Sequence, residues 1–211
     1  TIENICELWR GEEIGKSSDY IIHSNEKSTY RIIQGSNIGK YAIKGEKVYI
    51  DANNVKKQIE RYSKEKIIIR QLGDKINATL SIEGEITLQA VYCMYSKDRN
   101  YPNKYILAII NSSLIDFLYH HLFAEKQTFP RILLENLKKI NIPPYDSKLG
   151  KRIVNNVNKI LSIKHTDPYA NTDELEKEID MLVYQLYGLT EEEIWIVEGS
   201  GDGINSLRNT F

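Results

Sequence analysis

The chain has little cysteine and no long apolar run, and these absences exclude several classes of protein. Only Cys6 and Cys93 occur in 211 residues, too far apart in sequence to indicate a disulfide framework or a zinc cluster. No apolar stretch approaches the roughly 20 residues that a membrane-spanning helix requires. We therefore expect a cytoplasmic protein with no membrane partner. Because no signal peptide or initiator methionine opens the chain, we expect Thr1 to mark a cut from a longer protein.

Motifs for catalysis and metal binding are also missing. The sequence contains no Glu-x-Lys of the kind found in metal-dependent nucleases, and its one Asp-x-Lys begins at Asp146, where helix capping explains the acid. His120 and His121 are adjacent, so on a helix they point about 100° apart and cannot share a metal. Asn141 opens Asn-Ile-Pro-Pro-Tyr, in which the isoleucine breaks the Asn-Pro-Pro-Tyr signature of amino-methyltransferases. We expect no catalytic residue, metal site or cofactor site in this chain.

The charge of the chain is nearly balanced overall but is unevenly distributed. The formal net charge is −1. Residues 1–150 carry 22 Lys and Arg against 18 Asp and Glu, whereas residues 151–211 carry 6 against 11. The first part can therefore approach a polyanion, although two ordinary solvated surfaces would give the same asymmetry.

Hydrophobic periodicity predicts a mixed first part and a helical second part. Short apolar runs predict strands at 20–22, 30–33, 47–50, 66–69, 76–80 and 86–95. Apolar residues at helical spacing predict helices at 53–64, 103–123, 132–137, 149–161 and 175–186. The fold class expected is α+β, with a mixed, largely antiparallel twisted sheet, flanking helices and a C-terminal helical arm.

A double proline, Pro143-Pro144, divides the chain, because it can continue neither a helix nor a central strand. We expect a globular domain at 1–145, a helical arm at 146–198 and a weakly ordered tail at 199–211. The apolar stripes of the arm need a partner, which is either the globular domain or another domain or subunit.

Capping residues place the ends of the arm helices. Asp173 and Glu176 are spaced as a capping box, and Gly188 stops the same helix. Thr190 and Glu193 open a third, shorter helix in the same way.

The segment 66–80 carries the most chemical information. An apolar run ends abruptly at Arg70 and Gln71, the chain turns at Gly73-Asp74, and an alternating apolar pattern resumes. Arginine and glutamine are the side chains best shaped for bidentate hydrogen bonds to guanine and adenine in the major groove. The alternative is an ordinary surface hairpin in which Arg70 pairs with an acid such as Asp74.

A series of short features follows in a fixed order along residues 5–198. They are Gly11, Ile14-Gly15-Lys16, Asp19, Tyr30-Arg31, Gly35-Ser36-Asn37-Ile38, Tyr41, Tyr49-Ile50, Lys66 to Gly73, Ile76 to Thr79, Val91-Tyr92, Lys104 to Ser112, Phe129-Pro130-Arg131, Leu137 to Ile140, Ile142-Pro143-Pro144 and Tyr187 to Thr190. Taken together, this order of features resembles the TaqI-like C-terminal specificity domain, the target-recognition domain of adenine-specific DNA methyltransferases and of fused restriction–modification enzymes. The catalytic domain of such an enzyme is missing from this sequence.

The resemblance implies that double-stranded DNA is the partner. A separate methyltransferase catalytic domain, in the same chain or another, would use S-adenosylmethionine to methylate adenine, with or without a fused endonuclease. The alternatives are half of a specificity subunit that acts in trans through helix-mediated assembly, or an unrecognised hydrolase or nuclease.

Two groups of residues are the candidates for DNA contact. Base reading is assigned to a loop at the end of the apolar run, with the loop 97–104 as an alternative. The base-reading candidates are Arg70, Gln71, Lys75 and Asn77. The phosphate candidates are Lys16, Ser17, Lys40, Lys126 and Arg131. Asn37 and the pair Asn111-Ser112 are expected to shape a turn and helix packing instead.

Overall fold

The computed structural model describes residues 1–57, 59–73, 75–82, 84–123, 131–145 and 148–199. In these residues the strands are β1 (Cys6–Arg10), β2 (Ile21–Ile22), β3 (Thr29–Ile33), β4 (Ile38–Gly39), β5 (Ala42–Ile43), β6 (Val48–Asp51), β7 (Lys66–Arg70), β8 (Ala78–Ser81), β9 (Ile86–Thr87) and β10 (Val91–Ser96). The helices are α1 (Ile2–Ile5), α2 (Asn103–Ile110), α3 (Ser113–Phe123), α4 (Leu134–Lys139), α5 (Leu149–Thr166), α6 (Asp173–Tyr187) and α7 (Glu191–Val197). None of the helices in these ranges is long and apolar enough to cross a membrane.

The strands of the described residues divide between two four-stranded sheets and a two-stranded ribbon. The first sheet has the order β1-β10-β7-β8 and is antiparallel throughout. The second has the order β2-β6-β3-β9, in which only β3 and β9 are parallel, and β4 and β5 form the ribbon. The expected α+β class with largely antiparallel pairing is therefore confirmed.

Strand β7 of the first sheet is buried on both faces, which explains why its apolar run, Ile67 to Ile69, is unbroken. Successive side chains of a strand point to opposite faces. Accordingly, Ile67 and Ile69 join the core shared with the helices, whereas Ile68 joins a second cluster with Trp9 and Ile33. A strand covered on only one side would have alternated with polar residues.

The predicted helix at 103–123 is two helices, because the chain breaks at Asn111 and Ser112. Asn111 accepts a hydrogen bond from the amide of Ala78 at 3.0 Å and donates one to its carbonyl at 2.9 Å. The Ser112 hydroxyl donates to the carbonyl of Ile109 at 2.7 Å. The expectation that this pair fixes helix packing against the sheet is confirmed for Asn111, whereas the Ser112 hydroxyl bonds within the end of α2.

The C-terminal helices pack on the globular part. Ile153 of α5 and Ile179 of α6 belong to the same buried cluster as Ile106 of α2. At the start of α3, Ser113 donates to Asp180 of α6 from its amide at 2.9 Å and from its hydroxyl at 2.7 Å. The apolar stripes of the arm therefore find their partner within this chain. Of the predicted tail, only Gly199 lies inside the described residues.

Three local predictions were wrong. The surface helix expected at 53–64 is replaced by two short 3₁₀ segments, the second of which buries Tyr62 completely. The strand expected at 86–95 is interrupted at Gln89 and Ala90, and its two parts join different sheets. The N-cap position of α6 is Thr172, one residue earlier than expected, because Asp173 is already helical, and the Thr172 side chain makes no capping hydrogen bond.

The other end signals are confirmed. Gly188 ends α6 with a left-handed φ of 72°, a conformation that glycine adopts without a steric penalty. Thr190 and Glu193 form the predicted capping box of α7. The Asn37 side chain holds the turn between β3 and β5, as expected. Its Oδ1 accepts a hydrogen bond from the amide of Gln34, and its Nδ2 donates one to the carbonyl of Lys44.

Candidate nucleic-acid interface

The end of strand β7 opens into a cavity of about 350 Å³ between the two sheets. Arg70 is the last residue of the strand and is partly exposed. Its amide donates to the carbonyl of Asn77 at 3.0 Å, which fixes the backbone and leaves the guanidinium to line the cavity. The cavity is lined by Ile14, Lys16, Gln34, Gly35, Ser36, Arg70, Leu72, Leu88, Gln89 and Ala90.

Two of the predicted DNA contacts, Arg70 and Lys16, come together at this cavity although they lie 54 positions apart in sequence. Lys16 is exposed, as is its neighbour Ser17. Arg131 is also exposed, and it forms an isolated antiparallel bridge with Leu72, two positions after Arg70. We call Lys16, Arg70 and Arg131 the cationic rim.

The cationic rim is not neutralised within the described part of the chain. None of the ion pairs seen in those residues involves Lys16, Arg70 or Arg131. Asp74, the acid considered as a partner for Arg70, lies outside the described residues. Cations held at a surface without acidic partners are free to bind an anionic ligand such as a phosphate chain.

Gln71 has a different environment from Arg70. Its side chain is 8% exposed, and its amide nitrogen donates to the Tyr92 hydroxyl at 2.8 Å. Its backbone amide donates to the carbonyl of Ala90 at 3.0 Å, and its carbonyl accepts from Ile132 at 2.8 Å. In this arrangement Gln71 ties three segments together, and a base contact would require its side chain to leave Tyr92. Base reading by Gln71 stays a prediction.

The remaining hairpin candidates, Lys75 and Asn77, do not line the first cavity. Lys75 is exposed and lines a second cavity of about 820 Å³, together with His120 and Asp180. Asn77 donates from its amide to the carbonyl of Lys75 at 3.2 Å. Base reading by Lys75 and Asn77 stays a prediction, and neither residue lines the cavity of Arg70.

Lys40 is engaged within the fold, and Lys126 lies outside the described residues. The Lys40 ammonium is 2.9 Å from a carboxylate oxygen of Glu176 on α6. A phosphate contact at Lys40 would therefore compete with this ion pair, and it remains a prediction, as does the one at Lys126.

Sequence reasoning missed the polar residues that complete the cavity. Gln34 and Ser36 follow β3, and Gln89 lies between β9 and β10. The same pattern that marked Arg70, an apolar run ending in polar residues, occurs at Ile32-Ile33-Gln34. What the sequence could not supply is the tertiary arrangement that brings these strand ends to one cavity.

A buried carboxylate anchors the loop that carries Lys16. Glu12 is completely buried and accepts hydrogen bonds from the Lys56 amide at 3.1 Å and the Tyr62 hydroxyl at 3.0 Å. Burial raises the pKa of Tyr62 far above its ordinary value, so the phenol stays a hydrogen-bond donor. The ammonium of Lys57 donates to the carbonyl of Gly11 at 2.7 Å. The start of the loop is therefore held firmly beside Tyr62, which shares a buried apolar cluster with Ile14 of the same loop.

Groups of three or more His, Cys, Asp or Glu side chains arranged to hold a metal ion do not occur in the described residues. The cavity lining instead offers cations, amides and hydroxyls beside apolar walls. This combination suits hydrogen bonding to phosphate oxygens and base edges.

Comparison with solved structures gives the fold. The chain is similar to the Type IIL restriction-modification enzyme MmeI, whose structure was determined in complex with DNA, with 10% identity and a TM-score of 0.65 over 92% of this chain and 35% of that chain. It also matches the HsdS subunit from Thermoanaerobacter tengcongensis, with 14% identity and a TM-score of 0.47 over 88% of this chain and 43% of that one. This chain thus spans about a third of the MmeI chain.

Comparison with protein families gives the membership. No curated protein matches the chain. Residues 30–142, more than half of the chain, match the TaqI-like C-terminal specificity domain. This range contains Arg70, Arg131 and most of the cavity lining. The chain therefore belongs to the family of TaqI-like C-terminal specificity domains, through which restriction–modification proteins recognise their DNA target.

Proposed function

We propose that this chain reads its DNA target in the major groove through the cavity at the end of β7, with Arg70 as the principal base contact. The observation that carries the proposal is the convergence of Arg70 and Lys16 on one open cavity, without ion pairs among the described residues. In this proposal the Arg70 guanidinium bonds both acceptors of a guanine. Lys16, Ser17 and Arg131 contact phosphates on either side and set the register.

The proposed division of labour leaves chemistry to a partner. A methyltransferase catalytic domain, in the same chain or another, would bind S-adenosylmethionine and methylate an adenine within the recognised site, in the cytoplasm. Exposed apolar side chains on the C-terminal helices, Met181 and Trp195, support a partner contact on that side. In the trans version the same helices would join a specificity subunit to its partner. Methylation that requires both this chain and the catalytic partner would support either version.

The first experiment is selection of duplexes from a random pool by the 211-residue chain, followed by binding measurements as salt is raised. We expect weak binding, because the net charge is −1, with an affinity that falls as salt increases. We also expect one enriched sequence. If no sequence is enriched at any salt concentration, the proposed function is wrong.

Variants of Arg70 then locate the reading surface. Arg70→Ala should lose about 1–3 kcal/mol of discrimination between the selected site and a one-base mismatch. Arg70→Lys should keep most of the non-specific affinity but lose the same discrimination, because lysine retains the charge and not the planar fork.

The matched control is Arg152→Gln. Arg152 is an exposed arginine of α5 whose guanidinium lies 3.3 Å from Glu178, so its loss should leave DNA binding unchanged. An equal loss of discrimination in Arg152→Gln and Arg70→Ala would contradict the placement of the site. A loss confined to variants of the loop 97–104 would move base reading to the opposite end of β10.

A further inference from the structure

Leu72 is an exposed apolar side chain in a cationic surrounding. It is 42% exposed, and among the exposed large apolar residues of the described chain it is the one that lines the cavity with Arg70. Exposure of a single leucine is ordinary on a protein surface. The position of Leu72 beside the cationic rim is unusual, because this is the surface where we propose that a polyanion binds.

The backbone on both sides of Leu72 is fixed. Gln71 is bonded to Ala90 and Ile132, and Leu72 itself bridges to Arg131. Gly73 follows with a φ of 148°, which a side chain would strain. Leu72 is therefore presented by a rigid frame, as a specificity residue must be.

The cavity beside Leu72 is walled by apolar groups. Ile14 and Leu88 are 4% and 2% exposed, and Ala90 and Gly35 complete the wall. A phosphate bound against this wall would lose hydration without gaining hydrogen bonds, which disfavours it strongly. The apolar group that a B-DNA major groove offers is the 5-methyl group of thymine.

We infer that Leu72 and the apolar wall receive the methyl group of a thymine adjacent to the base pair bonded by Arg70, which makes Leu72 a specificity-determining residue. The inference rests on the proposed function and names the chemistry of one recognised base. It accounts for a leucine between two cations: Arg70 and Arg131 bind polar groups of the duplex, and Leu72 covers a methyl group.

The test removes the methyl group from the DNA. In the duplex selected above, each thymine is replaced in turn by deoxyuridine, which has the same hydrogen-bonding edge without the methyl. For the wild-type chain, one position should weaken binding about three- to fivefold, as expected for one buried methyl group. The same replacement should leave the affinity of Leu72→Ala unchanged, while Leu72→Met should still respond because it keeps an apolar contact.

Ile82→Ala is the matched control. Ile82 is 66% exposed, and its carbonyl accepts from Lys66 at the other end of β7, roughly 13 Å from Arg70 at the rise of a strand. This variant should respond to deoxyuridine as the wild type does.

Several outcomes would overturn the inference and leave the proposed function standing. They are a selected site without thymine, a wild-type chain that is insensitive to every replacement, and a Leu72→Ala chain that still senses the methyl group. An increase in 2-aminopurine fluorescence at the sensitive step, lost in Leu72→Ala, would also overturn it, by showing that the leucine wedges between base pairs. Absence of any selected site would instead contradict the proposed function itself.

Discussion

The cations of the cationic rim and the cations that face helix α6 differ in how they are neutralised. In the described residues, Lys16, Arg70 and Arg131 have no ion pair, whereas Lys40 and Arg152 are paired with Glu176 and Glu178 of α6. Paired charges add little net attraction for a polyanion, and unpaired ones keep theirs. The difference teaches that the near-zero net charge of this chain conceals cations at the cavity that have no ion pair among the described residues.

The packing of the helices on the first sheet should govern stability without affecting DNA recognition. Asn111→Ala tests this, with the largest effect on stability that we expect. The substitution leaves the buried amide of Ala78 without its partner, whereas the Ala78 carbonyl keeps the hydrogen bond that it accepts from the Tyr41 amide at 2.9 Å. We expect the free energy of unfolding to fall by about 1–3 kcal/mol, the cost of one buried donor left unpaired. Urea denaturation measures this, and DNA affinity per folded molecule should not change.

Asn158→Ala is the control for that experiment. Asn158 is an exposed residue of α5 that accepts a hydrogen bond from Lys104 at 2.7 Å, and its loss should cost less than about 1 kcal/mol. If the two variants are equally stable, Asn111 does not hold the helices to the sheet.

The contrast between free and paired lysines is tested by Lys16→Gln and Lys40→Gln. Removing one phosphate contact lowers the slope of log affinity against log salt by about 1. We expect this change for Lys16→Gln and an unchanged slope for Lys40→Gln, because the ammonium of Lys40 is held by Glu176. A lowered slope for Lys40→Gln would instead support the phosphate contact predicted for it from the sequence.

The smallest expected effect is on the pH dependence of stability, and it concerns Asp180, which joins α6 to α3. Burial raises the pKa of its carboxyl, although hydrogen bonds from Ser113 act in the opposite direction. A carboxyl with a raised pKa in the folded state costs stability as the pH rises from its ordinary value of 3.8 through the folded value. Asp180→Asn, which can still cap α3, should therefore gain stability relative to the wild type across this window.

Urea denaturation at several pH values between about 4 and 7 measures the difference. Glu178→Gln is the control, because that carboxylate is largely exposed and joins only a surface pair. A stability difference that stays constant with pH for Asp180→Asn would show that the carboxyl is not perturbed by burial.

The sequence predicted the strongly periodic elements and missed those decided by tertiary contacts. The run Ile67-Ile68-Ile69 and the helices α5 and α6 were predicted because their patterns reflect burial directly. The helix break at Asn111 was not predicted. Its side chain bonds the backbone of Ala78 in place of a neighbouring strand, and this contact exists only in the folded chain.

The candidate site was predicted in part for the same reason. The sequence gives no sign that Gln71 turns inward to Tyr92 while Arg70 stays at the surface, because both follow the same apolar run. The choice depends on Tyr92 lying opposite Ile69 in the neighbouring strand, a register that no local pattern encodes.

The bridge between Leu72 and Arg131 has a consequence for engineering. The proposed base-reading residues Arg70 and Leu72 belong to one hairpin, but the carbonyl of Gln71 between them accepts its hydrogen bond from the amide of Ile132, some 60 positions later. A hairpin transplanted alone into a related protein would carry its side chains and leave this support behind. Exchange of target preference between such proteins therefore requires both segments to be moved together, as a discontinuous cassette.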